Sequence, residues 1–147
     1  MHKQVWMGLV MVLAQAGIGS VTARAQATWT DPATGLMWAR ADSGEDQNWK
    51  QAGAYCAHLK LDGYSEWRLP TIDELAAIYD PTQWVGCGNR IKGEIDISGS
   101  MNWSSSAGKA SGEAWVFNFL IGKKASRPLI PIQKEEIAIR ALCVRRP

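Results

Sequence analysis

The chain has 147 residues, 46% of them apolar, and a formal net charge of +2. That length suits one domain with a core of its own, and so small a positive charge excludes a protein that holds nucleic acid chiefly by electrostatics. The excess is also local: Lys3 and Arg24 fall within residues 1–27, which carry no acidic side chain, so the remainder is formally neutral.

Residues 1–27 read as a secretory leader. His2 and Lys3 precede an uncharged run from Val5 to Val21 that ends in small residues. Gln15, Gly17 and Gly19 interrupt the run, which is short for a membrane span. Ala23-Arg24-Ala25 and Ala25-Gln26-Ala27 both fit a small-x-small cleavage pattern, so the exported chain begins between Gln26 and Thr28. The expected product is a single domain over 28–147, periplasmic or extracellular, with no membrane attachment after cleavage.

Within it, Thr28-Trp29-Thr30 and Leu36-Met37-Trp38 flank the turn formers Asp31-Pro32-Ala33-Thr34-Gly35, which predicts a β-hairpin. Trp49, Ala52, Cys56 and Leu59 recur at helical spacing, with Asn48 as N-cap, and Leu61-Asp62-Gly63 closes that helix in a turn. In Trp67-Arg68-Leu69-Pro70-Thr71, Pro70 forces an extended approach and Thr71 opens a second helix. Thr71-Ile72-Asp73-Glu74 has the form of a capping box, Leu75, Ile78 and Tyr79 supply an apolar face, and Arg68 is placed to pair with a carboxylate. Residues 81–101 show no period and read as a long loop, a usual place for binding. Met101–Ser106, Glu113–Gly122 and Glu136–Arg146 read as strands, with Gly122-Lys123-Lys124 as a turn and Pro128 and Pro131 as breaks. The order predicts an α+β fold, two helices packed on a mainly antiparallel sheet with a long loop region.

Export permits a disulfide, and three cysteines allow one internal bridge. Cys56 lies on the apolar face of the first helix and Cys143 on the last strand, so this pair is favoured over pairs with Cys87. The loop it closes would contribute roughly 4 to 5 kcal/mol in the chain-entropy account. Cys87 is then left over.

The ordered set Trp29-Thr30-Asp31, Thr34-Gly35-Leu36-Met37-Trp38, Ala54-Tyr55-Cys56 with Leu59, Gly63-Tyr64-Ser65-Glu66-Trp67-Arg68-Leu69-Pro70-Thr71 with Glu74-Leu75, Asn102-Trp103-Ser104-Ser105 and Cys143-Val144-Arg145 resembles the Legionella collagen-like adhesin C-terminal domain family, long listed as a domain of unknown function. The resemblance covers essentially all of 28–147. It implies an exported bacterial domain of C-type-lectin-like fold, in which a bridge from first helix to last strand sits at the base, and a role in attachment to polysaccharide or a host surface. The Glu-Pro-Asn, Gln-Pro-Asp and Trp-Asn-Asp motifs that hold calcium in sugar-binding C-type lectins are missing from this sequence. Glu94, Asp96 and Asn118, the nearest candidates, lack the spacing of a hard-cation site.

No enzyme class is indicated. His58 is the one histidine beyond the leader and has no visible partner, Ser104-Ser105-Ser106 lacks a His/Asp arrangement, and neither a zinc cluster nor a phosphate-binding glycine motif is present. The expectation is a non-enzymatic binding module with no cofactor and no metal. Basic residues gather late in the chain, at Lys123, Lys124, Arg127, Lys134, Arg140, Arg145 and Arg146, which suits an anionic or sulfated polysaccharide. Trp38, Trp49, Trp67 and Trp115 fall on faces expected to be buried. Trp84 and Trp103 remain as ligand platforms, so Lys123, Lys124, Arg127, Trp84 and Trp103 are the candidate ligand-binding residues. The alternative partner is an envelope protein, which would require an exposed apolar patch.

Overall fold

The computed structural model describes residues 26–130 and 138–147. The expected leader up to residue 25, Lys134, Pro131 and the start of the last predicted strand lie outside the described residues. The fold is α+β. Strands β1 (Thr28–Thr30) and β2 (Met37–Ala39) form the expected hairpin, held by the Gly35 N–H donating to the Asp31 carbonyl at 2.8 Å. Helices α1 (Trp49–His58) and α2 (Ile72–Ala77) follow, then β3 (Met101–Ala107), β4 (Glu113–Asn118), β5 (Lys123–Pro128), β6 (Ile139–Arg140) and β7 (Val144–Arg145). One sheet has the order β1-β2-β7 and the other β5-β4-β3-β6. Among the described strand pairings only β3 with β6 is parallel, and the isolated bridge of Ala41 with Asp96 is parallel as well.

Both helices start as their caps require. Asn48 accepts from the Gln51 N–H while the Gln51 side chain accepts from the Asn48 N–H, and Thr71 and Glu74 repeat the arrangement at α2. The helices cover opposite faces of the four-stranded sheet. Ala52 and Cys56 of α1 join a core cluster with Trp103, Ala114 and Val116, whereas Ile72, Leu75 and Ile78 near α2 join a second with Phe117 and Phe119. Residues alternating along β4 therefore enter different cores, as the pleat dictates.

The corner at Trp67–Thr71 links these layers. Trp67 and Leu69 are buried in the first cluster. The Arg68 backbone exchanges hydrogen bonds with Val144 at 2.9 and 3.0 Å, and its guanidinium holds the Glu74 carboxylate in a bidentate pair at 2.7 and 2.9 Å. Cys56 and Cys143 are disulfide-bonded across a separation of 87 residues.

Three expectations need correction. The predicted loop 81–101 has no helix or regular strand before β3 begins at Met101, yet it is not a free loop: Ile91, Ile95 and Ile97 are fully buried, and the Trp29 ring packs against Gly93. These isoleucines share the parity of a strand, but Gly93 interrupts the alternation and leaves too short a run for periodicity to single out. The last segment is two strands rather than one, because residues Ala141–Cys143 cross from one sheet to the other and fill both cores. The predicted turn at Gly122-Lys123-Lys124 is shifted: β4 ends at Asn118, residues 119–122 turn, and Lys123 already starts β5. Pro128 ends β5 on the open edge of the sheet, where its missing N–H costs no ladder bond.

Gly122 has φ +67°, and a Cβ there would collide with the Tyr79 ring. Gly122→Ala should therefore lower stability by about 2 kcal/mol or more, combining left-handed strain with overpacking, as measured by urea denaturation; a change within error would show that the turn relaxes freely. The Arg68 hydrogen bonds, aided by the Thr71 N–H and opposed by burial, hold Glu74 below its ordinary value of 4.5. A depressed carboxylate contributes stability that is present above the ordinary value and is lost as pH falls through the lowered one. Glu74→Gln should then flatten the acid limb of a stability-versus-pH curve while lowering stability at neutral pH, and an unchanged acid limb would count against the pair.

Candidate functional site

Lys123, Lys124 and Arg127 do not form one patch. Successive residues of β5 point to opposite faces; Lys124 stands opposite Phe117, and Lys123 and Arg127 stand opposite Asn118 and Ala114 on the other face. Arg127 is half-buried and donates to the Ser126 carbonyl at 3.2 Å. Lys124 instead reaches diagonally across to Trp115, its Nζ 4.8 Å from the ring centroid. Lys109, in the β3–β4 turn, approaches the same ring at 5.7 Å. Two ammonium groups thus share one partly buried indole whose remaining surface packs on the second core cluster. Lys109 was not singled out by the sequence, where it is an ordinary turn lysine; only the β3–β4 hairpin brings it to Trp115.

Trp103 is a correction. It is fully buried in the first core cluster, and its indole N–H donates to the Gln47 carbonyl at 2.7 Å. A residue of β3, between β4 and β6, with both core and partner already supplied has no face left for a ligand.

Trp84 is 66% exposed, with the Arg90 guanidinium 4.4 Å from its ring centroid. It leads into a tight turn in which Val85 and Asn89 exchange backbone hydrogen bonds at 2.9 and 3.0 Å, with Gly86 and Gly88 at positive φ and the free Cys87 exposed. The Arg90 N–H donates to the Phe119 carbonyl at 2.9 Å, fastening this turn to the β4–β5 turn. There Leu120 and Ile121, expected as strand residues, are 43% and 56% exposed. Trp84, Leu120 and Ile121 therefore lie on two adjoining turns with Arg90 between them in the hydrogen-bond path.

Two clefts lie elsewhere, of about 420 and 510 Å³, and share Gln26 and Glu94 in their walls. The first is lined by Arg40, Asp42, Tyr55 and Asp96 among others. Burial, reinforced by Asp42, pushes the Tyr55 phenol up. Asp42 accepts from the Ser98 and Gly99 N–H groups at 2.8 and 2.9 Å, so its charge is used to fold the 96–99 segment. Glu94 pairs with Arg40 at 3.2 Å, and Asn118 Oδ1 accepts from the Leu120 N–H in the other sheet's turn. Glu94, Asp96 and Asn118 thus do not converge, and among the described residues no group of three or more His, Cys, Asp or Glu side chains is arranged to hold a metal. His58 is exposed, with Nδ1 2.8 Å from the Ala54 carbonyl of its own helix. Among the serines, Ser104 donates to the Trp115 carbonyl, Ser105 to the Pro70 carbonyl, and Ser106 accepts from the Ile72 N–H.

No helix among the described residues is long and apolar enough to cross a membrane. No curated protein matches the chain with significant similarity. The family model for the Lcl C-terminal domain matches residues 27–145, from β1 through the disulfide-bonded return of β7. With the hairpin, the capped corner at Trp67–Thr71 and the final strand all inside that match, the chain belongs to the Lcl C-terminal domain family.

Proposed function

We propose that this protein is an exported, non-enzymatic binding module of C-type-lectin-like fold that attaches to an anionic, sulfated polysaccharide through Lys109, Trp115 and Lys124. The observation that carries the reading is the convergence of Lys109 and Lys124 on one indole. Trp115 holds the two ammonium groups close together, where they would neutralise neighbouring sulfate or carboxylate groups of one chain. Trp84, 66% exposed with Arg90 over its ring, adds an indole beside the β4–β5 turn on which a sugar ring can stack. Export is supported by the disulfide, which persists in oxidising compartments. The non-enzymatic reading is supported by the positions of His58 and Ser104–Ser106, whose polar atoms serve the helix and strands that carry them.

Binding of the mature protein to a glycan array at low and physiological salt, with and without calcium, tests this. Attachment to sulfated glycans should be calcium-independent and weaken with salt as screening grows. Lys109→Gln with Lys124→Gln should lower affinity about tenfold, equivalent to about 1.4 kcal/mol, at unchanged thermal stability. Arg127→Gln should do less, because that side chain faces away from Trp115. Equal losses from Arg127 and from the lysine pair would overturn the assignment.

One observation favours a second reading, an envelope protein as partner: Trp84, Leu120 and Ile121 leave apolar surface exposed on adjoining turns. An array silent at both salts would sink the glycan reading. In that case Trp84→Ala should abolish recognition by the protein partner, while Lys109→Gln should leave it intact.

A further inference from the structure

Lys109 and Lys124 come from different elements, a turn and an edge strand, so something has to fix one against the other. The β3–β4 turn is fastened to β5 at the residue beside them. The Lys109 N–H donates to Ser126 Oγ at 2.9 Å, and the Ser126 hydroxyl donates in turn to Glu113 Oε2. A serine hydroxyl has one proton and two lone pairs. With the proton committed to Glu113, a lone pair is left for the Lys109 N–H. Glu113 also closes the turn upon itself: its carboxylate accepts from the Ala110 N–H at 3.3 Å, and its carbonyl accepts from the Gly108 N–H at 2.8 Å.

Register puts this clamp on the face that carries the two lysines' indole. Ser126 stands opposite Trp115 and Lys124 opposite Phe117, so Ser126 and Lys124 share the Trp115 side of the sheet. Gly108 completes the fit, because a Cβ there would collide with Ser126 Oγ and with Glu113. The turn can close on Ser126 only while position 108 has no side chain.

The ammonium groups lie 5.7 and 4.8 Å from one ring centroid, and so are no more than 10.5 Å apart. That is comparable with the Debye length of about 8 Å at physiological ionic strength, so salt leaves part of their repulsion in place. Two anionic groups delivered together relieve it; isolated ones do so one lysine at a time.

We infer that Ser126 and Glu113 are positioning residues for the Lys109–Trp115–Lys124 site, and that the site selects polysaccharide segments bearing closely paired anionic groups over segments whose charges are spread apart. This rests on the polysaccharide reading above.

The test measures affinity of the mature protein, by titration calorimetry, for a densely sulfated dextran fragment and for a hyaluronan fragment of similar length, whose carboxylates fall on alternate sugars. The wild type should prefer the sulfated dextran. Ser126→Ala should weaken that binding about threefold, half in free energy of the loss expected from the lysine pair, and should leave the weaker hyaluronan binding unchanged. In a Lys109→Gln background the same substitution should have no further effect, since the residue it positions is gone. Gly108→Ala, which prises the turn away from the other side, should give the same pattern. Losses that are equal for both probes, or that add to the Lys109→Gln loss, would show that Ser126 supports the fold alone and would overturn the inference. If Lys109→Gln weakens binding while Ser126→Ala and Gly108→Ala do not, the positioning role fails and the polysaccharide reading stands. If neither fragment binds, or Lys109→Gln with Lys124→Gln changes nothing, both fail.

Discussion

The disulfide between Cys56 and Cys143 joins α1 to the segment where the chain passes from one sheet to the other. That crossing is the constraint on which the domain turns. Ala141 and Cys143 fill the first core cluster, Leu142 and Val144 fill the second, and the Val144 backbone pairs with both Trp38 and Arg68. A short, two-faced strand of this kind has little stability by itself and is held by what surrounds it. Tying it covalently to a helix 87 residues earlier in the chain removes much of the entropy that would otherwise oppose its return.

From that seam the rest of the architecture is laid out. Arg68 meets β7 through its backbone and Glu74 through its side chain, so the same residue sets the position of the C-terminal strand and the start of α2. The Pro70 carbonyl then accepts from the Ser105 N–H at 2.8 Å, which places α2 across β3. The four-stranded sheet has helices on both faces, and among the described residues no strand pairs with the outer side of β5. Lys123 and Lys124 on that edge discourage pairing with another strand, and Lys124 gains a second use at Trp115.

Much of the domain's polar chemistry serves its own backbone. Asp31, Asp42 and Asn48 serve the backbone N–H groups of their own turns, segments or helix. Elsewhere cations lie over aromatic rings: Arg90 over Trp84, and Lys109 and Lys124 over Trp115. A binding module is consistent with membership of the Lcl C-terminal domain family, whose parent protein is a collagen-like adhesin. A fold alone does not name a ligand; side chains at a site do.

The sequence by itself determined the elements whose causes are local. The hairpin at Asp31–Gly35, the caps at Asn48 and Thr71, the break at Pro70, the pairing of Arg68 with a carboxylate and the choice of Cys56 with Cys143 were all legible, because each depends on residues whose partners are near in sequence or whose chemistry admits few of them. Tertiary structure alone decided the placement of Ile91, Ile95 and Ile97, the splitting of the last strand, the burial of Trp103 and the meeting of Lys109 with Lys124. Those depend on register and on which face of a strand is covered, and a one-residue change in register sends every side chain to the opposite face without altering the pattern that the sequence displays.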